Sequence, residues 1–475
     1  MSEPAPKTDL WETRPTFLHS DKAIARYIGR PAAQFLKIEP AGGLVLLLCA
    51  VAALVWANSA AGSTYGEFWH TEITVDLHVT SVSMSLQHWV NDGLMALFFF
   101  VVGLEIKSEI VSGELANPKA AVTPIAAALG GMIVPAALFF AFNGGTPGAD
   151  GWGIPMATDI AFALGVVALF GKRIPSPARI FLLTLAIVDD LGAILVIAVF
   201  YTASLSSAWL AVGVAIVAVV VLMRLLRVWS PTVYVILGVA LWFALLQSGV
   251  HATIAGVVMG LLFSARPLFN PEATRSRLSQ KVLTPLDSED TRKIELLGRE
   301  SQPPSERIQR RLHPFSTFFV LPVFALANAG VPVTGDALRE AFSHNVTIGI
   351  VVGLLVGKFV GVMGTSWLVV KLGWGSRPNN TSWGVMAGLA IAAGIGFTVA
   401  LFVTELAFSG SELLDQAKIG VLAASAIAAL LAVLFLAIAT RGSKGAAASS
   451  DSEATAGGDG SVKSPALGDP VDPRG

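Results

Sequence analysis

Long apolar stretches separated by short polar links dominate the 475-residue chain. A helix that crosses a bilayer needs about 20 mainly apolar residues. Twelve stretches are predicted to be such helices, although the eighth is short and 231–265 could instead form one long span. They are 41–59, 86–105, 121–142, 152–171, 177–202, 206–226, 231–247, 250–265, 314–330, 346–371, 382–408 and 415–440. The pattern predicts an all-α polytopic membrane protein with twelve transmembrane helices.

The link between the first two predicted helices has a different periodicity. Between residues 73 and 86, apolar side chains recur at every second position on both sides of Thr80 and Ser81. A period of two is typical of β-strands with one buried face, so this link is predicted to be a small external β-hairpin. An isolated hairpin is marginal in water. We therefore expect it to pair with another surface, such as a second copy in a homodimer; the alternative is a solvated loop.

The composition agrees with a membrane protein. The chain is 54% hydrophobic and 14% charged, whereas soluble domains carry about 25% charged residues. Its formal net charge of −1 indicates no nucleic-acid partner. The single cysteine, Cys49, excludes a disulfide within the chain and disfavours a cysteine-based metal site. The sequence contains no Gly-x-x-x-x-Gly-Lys-Ser/Thr motif for ATP, so we expect membrane lipid to be the main surrounding partner.

Lysine and arginine concentrate in alternate links, with ten of them in the long link 266–313. The positive-inside rule therefore predicts that both termini are cytoplasmic, in agreement with an even number of helices. Residues 1–37 are polar and lack the apolar core of a signal peptide. The tail 441–475 is too polar to fold alone. The predicted organisation is a polar cytoplasmic extension over 1–37, a helical domain over 38–440 with an extended cytoplasmic loop, and a disordered tail.

Two adjacent carboxylates lie in the middle of the fifth predicted helix. Asp189 and Asp190 interrupt an apolar run, although an ionisable side chain at the bilayer centre costs roughly 2.5–3.5 kcal/mol. Neighbouring residues of a helix point about 100° apart, so the two acids cannot form one symmetric clamp. One can face a water-filled path while the other faces a neighbouring helix. We interpret them as a cation and proton site; the structural alternative is a buried pair satisfied by Ser, Thr or backbone groups.

The fourth and eleventh predicted helices carry signals for interruption. Thr158 and Asp159 follow a stretch rich in glycine and proline, and could supply oxygen ligands to a small cation. The alternative for Asp159 is an interfacial helix cap. In the eleventh helix, Gly394 and Gly396 weaken helical structure, although they could serve packing alone. Paired breaks in corresponding halves are typical of inverted-repeat transporters with a site at the midplane.

One lysine and several charged residues near helix ends complete the set of candidates. Lys358 lies midway along the tenth predicted helix, where it needs a carboxylate partner or a lowered pKa; a purely structural ion pair is the alternative. Asp92 lies at the start of the second helix, where a functional role and a structural role are equally supported.

Glu105 and Glu109 end the second helix, where a charged rim explains them at least as well as a role in ion entry. His251 and His313 lie near helix ends, where each alone is more often an interfacial residue than a sensor.

At these residues the sequence resembles the NhaA-type sodium/proton antiporters. The resemblance covers roughly residues 38–440, and its motifs occur in the same order. The matching stretches are 90–95, 102–105, 157–165, 185–193, 249–253, 324–330, 357–358 and 394–398. The number of motifs makes the resemblance highly specific.

The resemblance implies a bacterial inner-membrane protein with twelve helices in inverted repeats, of which the fourth and eleventh break and cross near mid-membrane. It implies that Asp190 is the main cation and proton carboxylate and that Asp189 pairs with Lys358. Asp159 and Thr158 would lie at the helix crossing. The transported Na+ or Li+ would be the only metal, held by Asp190 and Asp189, and no cofactor is implied.

The resemblance further implies that Glu105 and His313 belong to a cytoplasmic entrance linked to pH response, and that the external hairpin joins two protomers. The sequence departs from other members at Ser108, which can be Arg, and at 309–311, where others carry an acid and a second histidine. The pH at which other members of the family become active therefore cannot be carried over to this chain.

We interpret the chain as a secondary transporter that exports Na+ or Li+ in exchange for inward-moving protons, rather than as an enzyme. A carboxylate in a dehydrated site binds either a cation or a proton because the bare anion is costly. An intramembrane aspartyl protease would need two facing acids on different helices, such as Asp159 and Asp190. A cation channel conflicts with a midplane lysine, whereas an anion symporter on the same fold is the strongest rival.

Overall fold

The computed structural model describes residues 41–76, 81–202, 205–226, 228, 230–267, 269, 292, 294, 296–298 and 301–441. The predicted extension 1–37 and nearly all of the predicted tail lie outside the described residues. Most of the link 266–313 lies outside them as well. Helices form most of what is described.

The helices of the described residues follow in this order along the chain. They are α1 (Ala41–Ala57), α2 (Gly62–Trp69), α3 (Met95–Ser112), α4 (Pro118–Asn143), α5 (Ile160–Ala168), α6 (Ser176–Phe200), α7 (Ser207–Leu225), α8 (Pro231–Ser248), α9 (Thr253–Leu262), α10 (Pro304–Phe315), α11 (Leu321–Asn328), α12 (Gly335–Ser343), α13 (Asn345–Val352), α14 (Lys358–Lys371), α15 (Trp383–Ala392), α16 (Phe397–Phe408) and α17 (Leu413–Ala439). Because α10 begins at Pro304, the end of the predicted loop 266–313 is helical.

Segments of π-helix join several of these helices into longer runs. Trp89–Leu94 leads from a short turn at Leu86–His88 into α3, Ser316–Val320 joins α10 to α11, and Gly353–Gly357 joins α13 to α14. A π-segment adds a residue to the helical turn and often marks a functional position. The last of these segments ends immediately before Lys358.

The predicted hairpin is present as a two-stranded antiparallel sheet. β1 (Glu72–Asp76) pairs with β2 (Ser81–Ser85), and the register places Ile73 opposite Met84 and Val75 opposite Val82. The alternating apolar residues therefore share one face, as the period of two predicts. The turn 77–80 lies outside the described residues.

Five described helical runs are long and apolar enough to cross a membrane individually: α4, α6, α7, α13 with α14, and α17. Three further pairs qualify jointly but bend at a short break, which brings the number to as many as eight. Helix α3 carries Glu105, Lys107 and Glu109 in its second half, and α9 has only 10 residues. Twelve spans and inverted repeats remain predictions.

The predicted interruptions of the fourth and eleventh helices are both present. A 3₁₀ segment, Pro147–Met156, is separated from α5 by three extended residues and meets it at 43°. Helices α15 and α16 meet at 40° across residues 393–396. The glycine and proline content that suggested these breaks therefore corresponds to real ends of helices.

The helices form two groups by their packing. Bundle one contains α1, α3 and α7–α11, whereas bundle two contains α4–α6 and α13–α17. Fewer neighbouring residues connect the groups than connect the helices within each group. This division leaves a seam between the bundles, along which the candidate site lies.

Glycines allow α4 and α14 to approach within bundle two. A Cβ atom at Gly361 would lie 2.2 Å from the carbonyl oxygen of Gly130, and one at Gly357 would lie 2.7 Å from Cα of Pro135. Small residues at a membrane helix crossing permit this kind of backbone contact. The close approach brings Lys358 past Gly131 into the protein interior.

We predict that Gly361→Ala lowers the stability of the protein, because its methyl group would force the two backbones apart at a cost of about 1–3 kcal/mol. Gly364→Ala is the matched control, since a Cβ there meets nothing within 4 Å. Thermal unfolding of the detergent-purified protein measures both variants. Equal midpoints for the two variants would contradict the proposed contact.

Candidate functional site

The two interrupted helices lie against each other at their breaks. The backbone N–H of Asp159 donates to the carbonyl oxygen of Ile395 at 2.7 Å, so the extended residues of one break pair with those of the other. Both are buried. Breaks release backbone groups that need internal partners in a membrane protein, and here each break supplies partners to the other.

Asp159 caps the N-termini of two helices with one carboxylate. Its Oδ1 accepts a hydrogen bond from the N–H of Phe162 in α5 at 2.9 Å. Its Oδ2 accepts bonds from Thr398 in α16, at 3.1 Å from the N–H and 2.7 Å from the hydroxyl. The positive ends of two helix dipoles therefore point toward one acid. Asp159 is a helix cap as well as a residue of the crossing.

Thr158 connects the crossing to the acids of α6. Its hydroxyl lies 2.7 Å from Oδ2 of Asp189 and 2.8 Å from the carbonyl oxygen of Ala393, at the end of α15. Because a hydroxyl has one proton to donate, it can donate to only one of these two acceptors at a time. The choice depends on the charge and protonation of Asp189.

Asp189 and Lys358 form an ion pair that is fully buried. The Lys358 ammonium group donates to the same Oδ2 of Asp189, and neither side chain is exposed. Gly353–Gly357 and the glycine contact with α4 place Lys358 at this depth. The predicted need of Lys358 for a carboxylate partner is met by Asp189.

Asp190 differs from its neighbour because it has no partner. It is 1% exposed, and neither carboxylate oxygen has a hydrogen-bond partner within the described part of the chain. The geometric expectation that adjacent acids face differently agrees with this arrangement. Asp189 faces α14, and Asp190 faces a cavity.

The cavity has a volume of about 400 Å³ and lies along the seam between the bundles. Asp190, Thr158, Asp159 and Thr398 line its inner part. Its other lining residues include Glu105 in the second half of α3, His313 near the end of α10 and Arg179 near the start of α6. Carboxylate, hydroxyl and backbone oxygens around one space are ligands that suit a small hard cation.

Glu105 lies at the side of this cavity and is linked to α10. Gln309 donates to its Oε1 at 3.1 Å, and Nε2 of His313 is 3.9 Å from the same oxygen. Glu109 is one turn away and accepts from the hydroxyl of Thr184 at 3.3 Å, which connects α3 to α6. The structure therefore brings Glu105 and His313 together and places Glu109 beside them.

Asp92 and His251 are not part of this group. Asp92 lies in Trp89–Leu94, and its carbonyl oxygen accepts from the indole of Trp242 at 2.8 Å. Nε2 of His251 lies 2.6 Å from the carbonyl oxygen of Tyr201, at the other end of α6 from Arg179. These residues lie at the end of the protein opposite Glu105 and His313.

Gly394 and Gly396 occupy tight positions in the second break. A Cβ at Gly394 would be 2.5 Å from the carbonyl oxygen of Leu354, and one at Gly396 would be 3.0 Å from Cδ2 of the same leucine. Larger residues would separate the break from Gly353–Gly357. The two glycines therefore serve close packing at the site.

Some site residues were not singled out from the sequence. Thr398 was noted only as part of a glycine-rich stretch, although its hydroxyl and N–H bind Asp159. Ser425 in α17 accepts from the N–H of Phe397 at 3.1 Å, and Gln309 binds Glu105. A lone Ser in an apolar helix, or a Gln among the charged residues of α10, gives no sign of its partner. The position of Thr398, one turn after Gly394, likewise does not reveal that it binds Asp159.

Comparisons with known proteins identify relatives that match most of the chain. The model of the family described as Na+/H+ antiporter 1 matches residues 33–436. A Na(+)/H(+) antiporter NhaA of Oleidesulfovibrio alaskensis is 46% identical over 436 residues, which cover 89% of this chain and 96% of the relative. A Na(+)/H(+) antiporter NhaA of Rhodopirellula baltica is 48% identical over 412 residues, covering 84% and 92%. The similarity spans both breaks and both acids.

We predict that Lys358→Ala lowers the unfolding midpoint markedly, because Asp189 would be left buried without a counter-charge at a cost of about 3–5 kcal/mol. The control is Lys371→Ala, at the exposed end of the same helix. Thermal unfolding in detergent measures both. Adding Asp189→Asn to Lys358→Ala should recover part of the loss, and the absence of any recovery would argue against an energetic pair.

Proposed function

The chain belongs to the Na+/H+ antiporter 1 family and is a membrane transporter of the Na+/H+ exchange class, and from this premise we propose that Asp190 is the site where cation and proton compete. The protein exports Na+ or Li+ while protons move inward. Exposure of the site to one side and then to the other makes this competition an exchange.

The unpartnered carboxylate of Asp190 is the observation that carries this proposal. Removing an ionised carboxylate from water is costly unless a charge or hydrogen bonds compensate it, and among the described residues neither oxygen of Asp190 has such a bond. A proton or a monovalent cation can each neutralise it. The cavity supplies the path, and Thr158 and Asp159 supply further oxygen atoms.

The second acid gives the exchange its stoichiometry. Lys358 neutralises Asp189 when no cation is bound, and the cation coordinated by Asp190 draws on Asp189 as well. When the cation takes both carboxylates, Asp190 releases its proton and Lys358, which has lost its partner, releases the second. Two protons then leave for one monovalent cation, so each cycle moves net charge. We propose that transport is therefore electrogenic and responds to the membrane potential.

The direction of the cavity supports an inward-facing state. Arg179 lines it, and Lys172 and Arg173 follow α5 at the same end. By the positive-inside rule this end is cytoplasmic, in a bacterial inner membrane with both termini on the same side. Glu105 and His313 line this mouth and Glu109 lies beside them, and we propose that this group regulates access in response to cytoplasmic pH.

We propose that the transporter has twelve spans, with each run joined by a π-helix counted as a single span. Inverted repeats would place the two breaks opposite each other.

The hairpin offers a contact surface for a homodimer. Ile73 is 42% exposed and Val75 is 38% exposed on its apolar face. Pairing with a second copy would cover these residues.

We predict that vesicles containing the protein acidify or alkalinise in response to Na+ or Li+, and that Asp190→Asn abolishes the response because its amide cannot exchange a proton. A trapped pH dye measures the change after NaCl, LiCl or KCl is added. Asp150→Asn is the matched control, since Asp150 is exposed near the end of α4. Proton movement that is indifferent to Na+, or that survives Asp190→Asn, would favour an anion symporter instead.

A further inference from the structure

A second buried polar group lies at the end of the protein opposite the cavity mouth. It consists of Gln87, Asn91, Asn328, Glu405 and Lys418. Lys418 in α17 pairs with Glu405 at the end of α16 at 2.5 Å, with 8% and 13% of their side chains exposed. Asn91 and Asn328 donate to each other's side-chain oxygens at 3.2 and 2.8 Å. The proposed exchange chemistry uses none of these residues.

Gln87 joins the two halves of this group. Its side-chain nitrogen donates to Oδ1 of Asn328 and to Oε1 of Glu405, each at 3.0 Å. An amide nitrogen carries two protons, so both bonds can exist together. Asn328 belongs to α11 of bundle one, and Gln87 lies in the turn Leu86–His88 that continues into α3 of the same bundle. Glu405 belongs to bundle two. The bond from Gln87 to Glu405 therefore crosses the seam between the bundles.

The ion pair between Lys418 and Glu405 strengthens the bond from Gln87 to Glu405, but the pair itself does not cross the seam. Both Glu405 and Lys418 belong to bundle two, so they would move together if the bundles separated. A carboxylate with so little exposure needs a counter-charge, and Lys418 supplies it. Glu405 thus remains a charged acceptor, and hydrogen bonds to charged acceptors are the stronger kind.

Three phenylalanines lie between this group and the ion site. Phe402 of bundle two contacts Phe99 and Phe324 of bundle one, with ring centroids 5.4 and 6.3 Å apart. All three are at most 2% exposed. Along α16 the order is Thr398, Phe402 and Glu405, which corresponds to steps of about 6 and 4.5 Å at 1.5 Å per residue. The aromatic rings close the seam, and the polar group lies outside them.

We propose that the bond from Gln87 to Glu405 is the latch that holds the outer side of the seam closed while the cavity is open to the cytoplasm. The inference rests on the proposed alternation of access at Asp190. Opening to the outside separates Phe402 from its two partners and breaks this bond. Gln87 and Glu405 are positioning residues, because they set the balance between the two states and do not touch the ion.

Removing the latch should lower the Na+ KM at the outer face and not at the inner face. A ligand's apparent dissociation constant is its intrinsic value divided by the populated fraction of the competent state. Gln87→Leu raises the outward-open fraction, so the Na+ KM at the outer face should fall about fivefold, a change of about 1 kcal/mol. The KM at the inner face should stay the same or rise. Because His251 and Tyr201 also join the bundles at the outer end, the shift remains partial.

The measurement compares right-side-out with everted membrane vesicles that contain the same variant. His88→Leu is the matched control, since His88 is the next residue, is exposed, and makes its side-chain hydrogen bond among the described residues within its own turn, to Ser85. It should leave both KM values unchanged. A Gln87→Leu protein whose KM values change equally on both faces, or on neither, overturns the latch.

A cross-link tests the same movement independently. In a Cys49→Ser background, Gln87→Cys and Glu405→Cys are joined by a short bifunctional thiol reagent, because two long side chains that meet at their ends leave their Cα atoms too far apart for a disulfide. Lys418→Met accompanies them so that no lysine is left buried without a counter-charge. The control joins Gln87→Cys to Asn328→Cys, within bundle one.

Cross-linking across the seam should reduce Na+/H+ exchange more than tenfold, and cleavage of the reagent should restore it. The control cross-link should leave exchange intact. Exchange that continues with residues 87 and 405 joined overturns the latch and leaves the proposed function standing. A parent protein without Na+-dependent proton movement would instead overturn the proposed function.

Discussion

Two helices end opposite each other inside the protein, and the backbone groups released at these ends have to find partners without water. Asp159 accepts from the first turns of α5 and α16, while the hydroxyl of Thr158 reaches the last turn of α15. The crossing therefore satisfies its own polar groups through a few side chains. The acids of α6, the lysine of α14 and the cavity are all arranged around it.

The same arrangement separates two acids that are adjacent in the chain. Asp189 is held by Lys358 and Thr158, so its charge is compensated by the protein itself. Asp190 faces the cavity without a partner among the described residues, so its charge has to be compensated by something that arrives from water. This difference between the two acids supports the proposal that a cation and a proton compete at Asp190.

The seam between the bundles explains how this site can be reached. Polar mouth residues line it at one end, and three phenylalanines with a polar group close it at the other. Glycine contacts keep each bundle rigid, as between Gly130 and Gly361. Rigid bundles with few connections favour movement of one against the other over local unfolding. The buried ion pair of Glu405 and Lys418 stays within one bundle during such a movement.

The sequence alone determined the class of protein, the hairpin, both helix breaks and the acids of the site, because length, period and the cost of a buried charge are local properties. It also placed Asp189 and Asp190 on different faces of one helix. The residues by themselves left open which acid faces Lys358, since a helical period gives a direction and not a neighbour; the family resemblance implied Asp189, and the tertiary structure places its carboxylate against Lys358. The same holds for Gln87 and Glu405, which are 318 positions apart. Glu405 and Lys418 lie near the ends of two consecutive apolar helices, where each charge alone suggests only an interface with water; their pairing depends on how α16 and α17 pack.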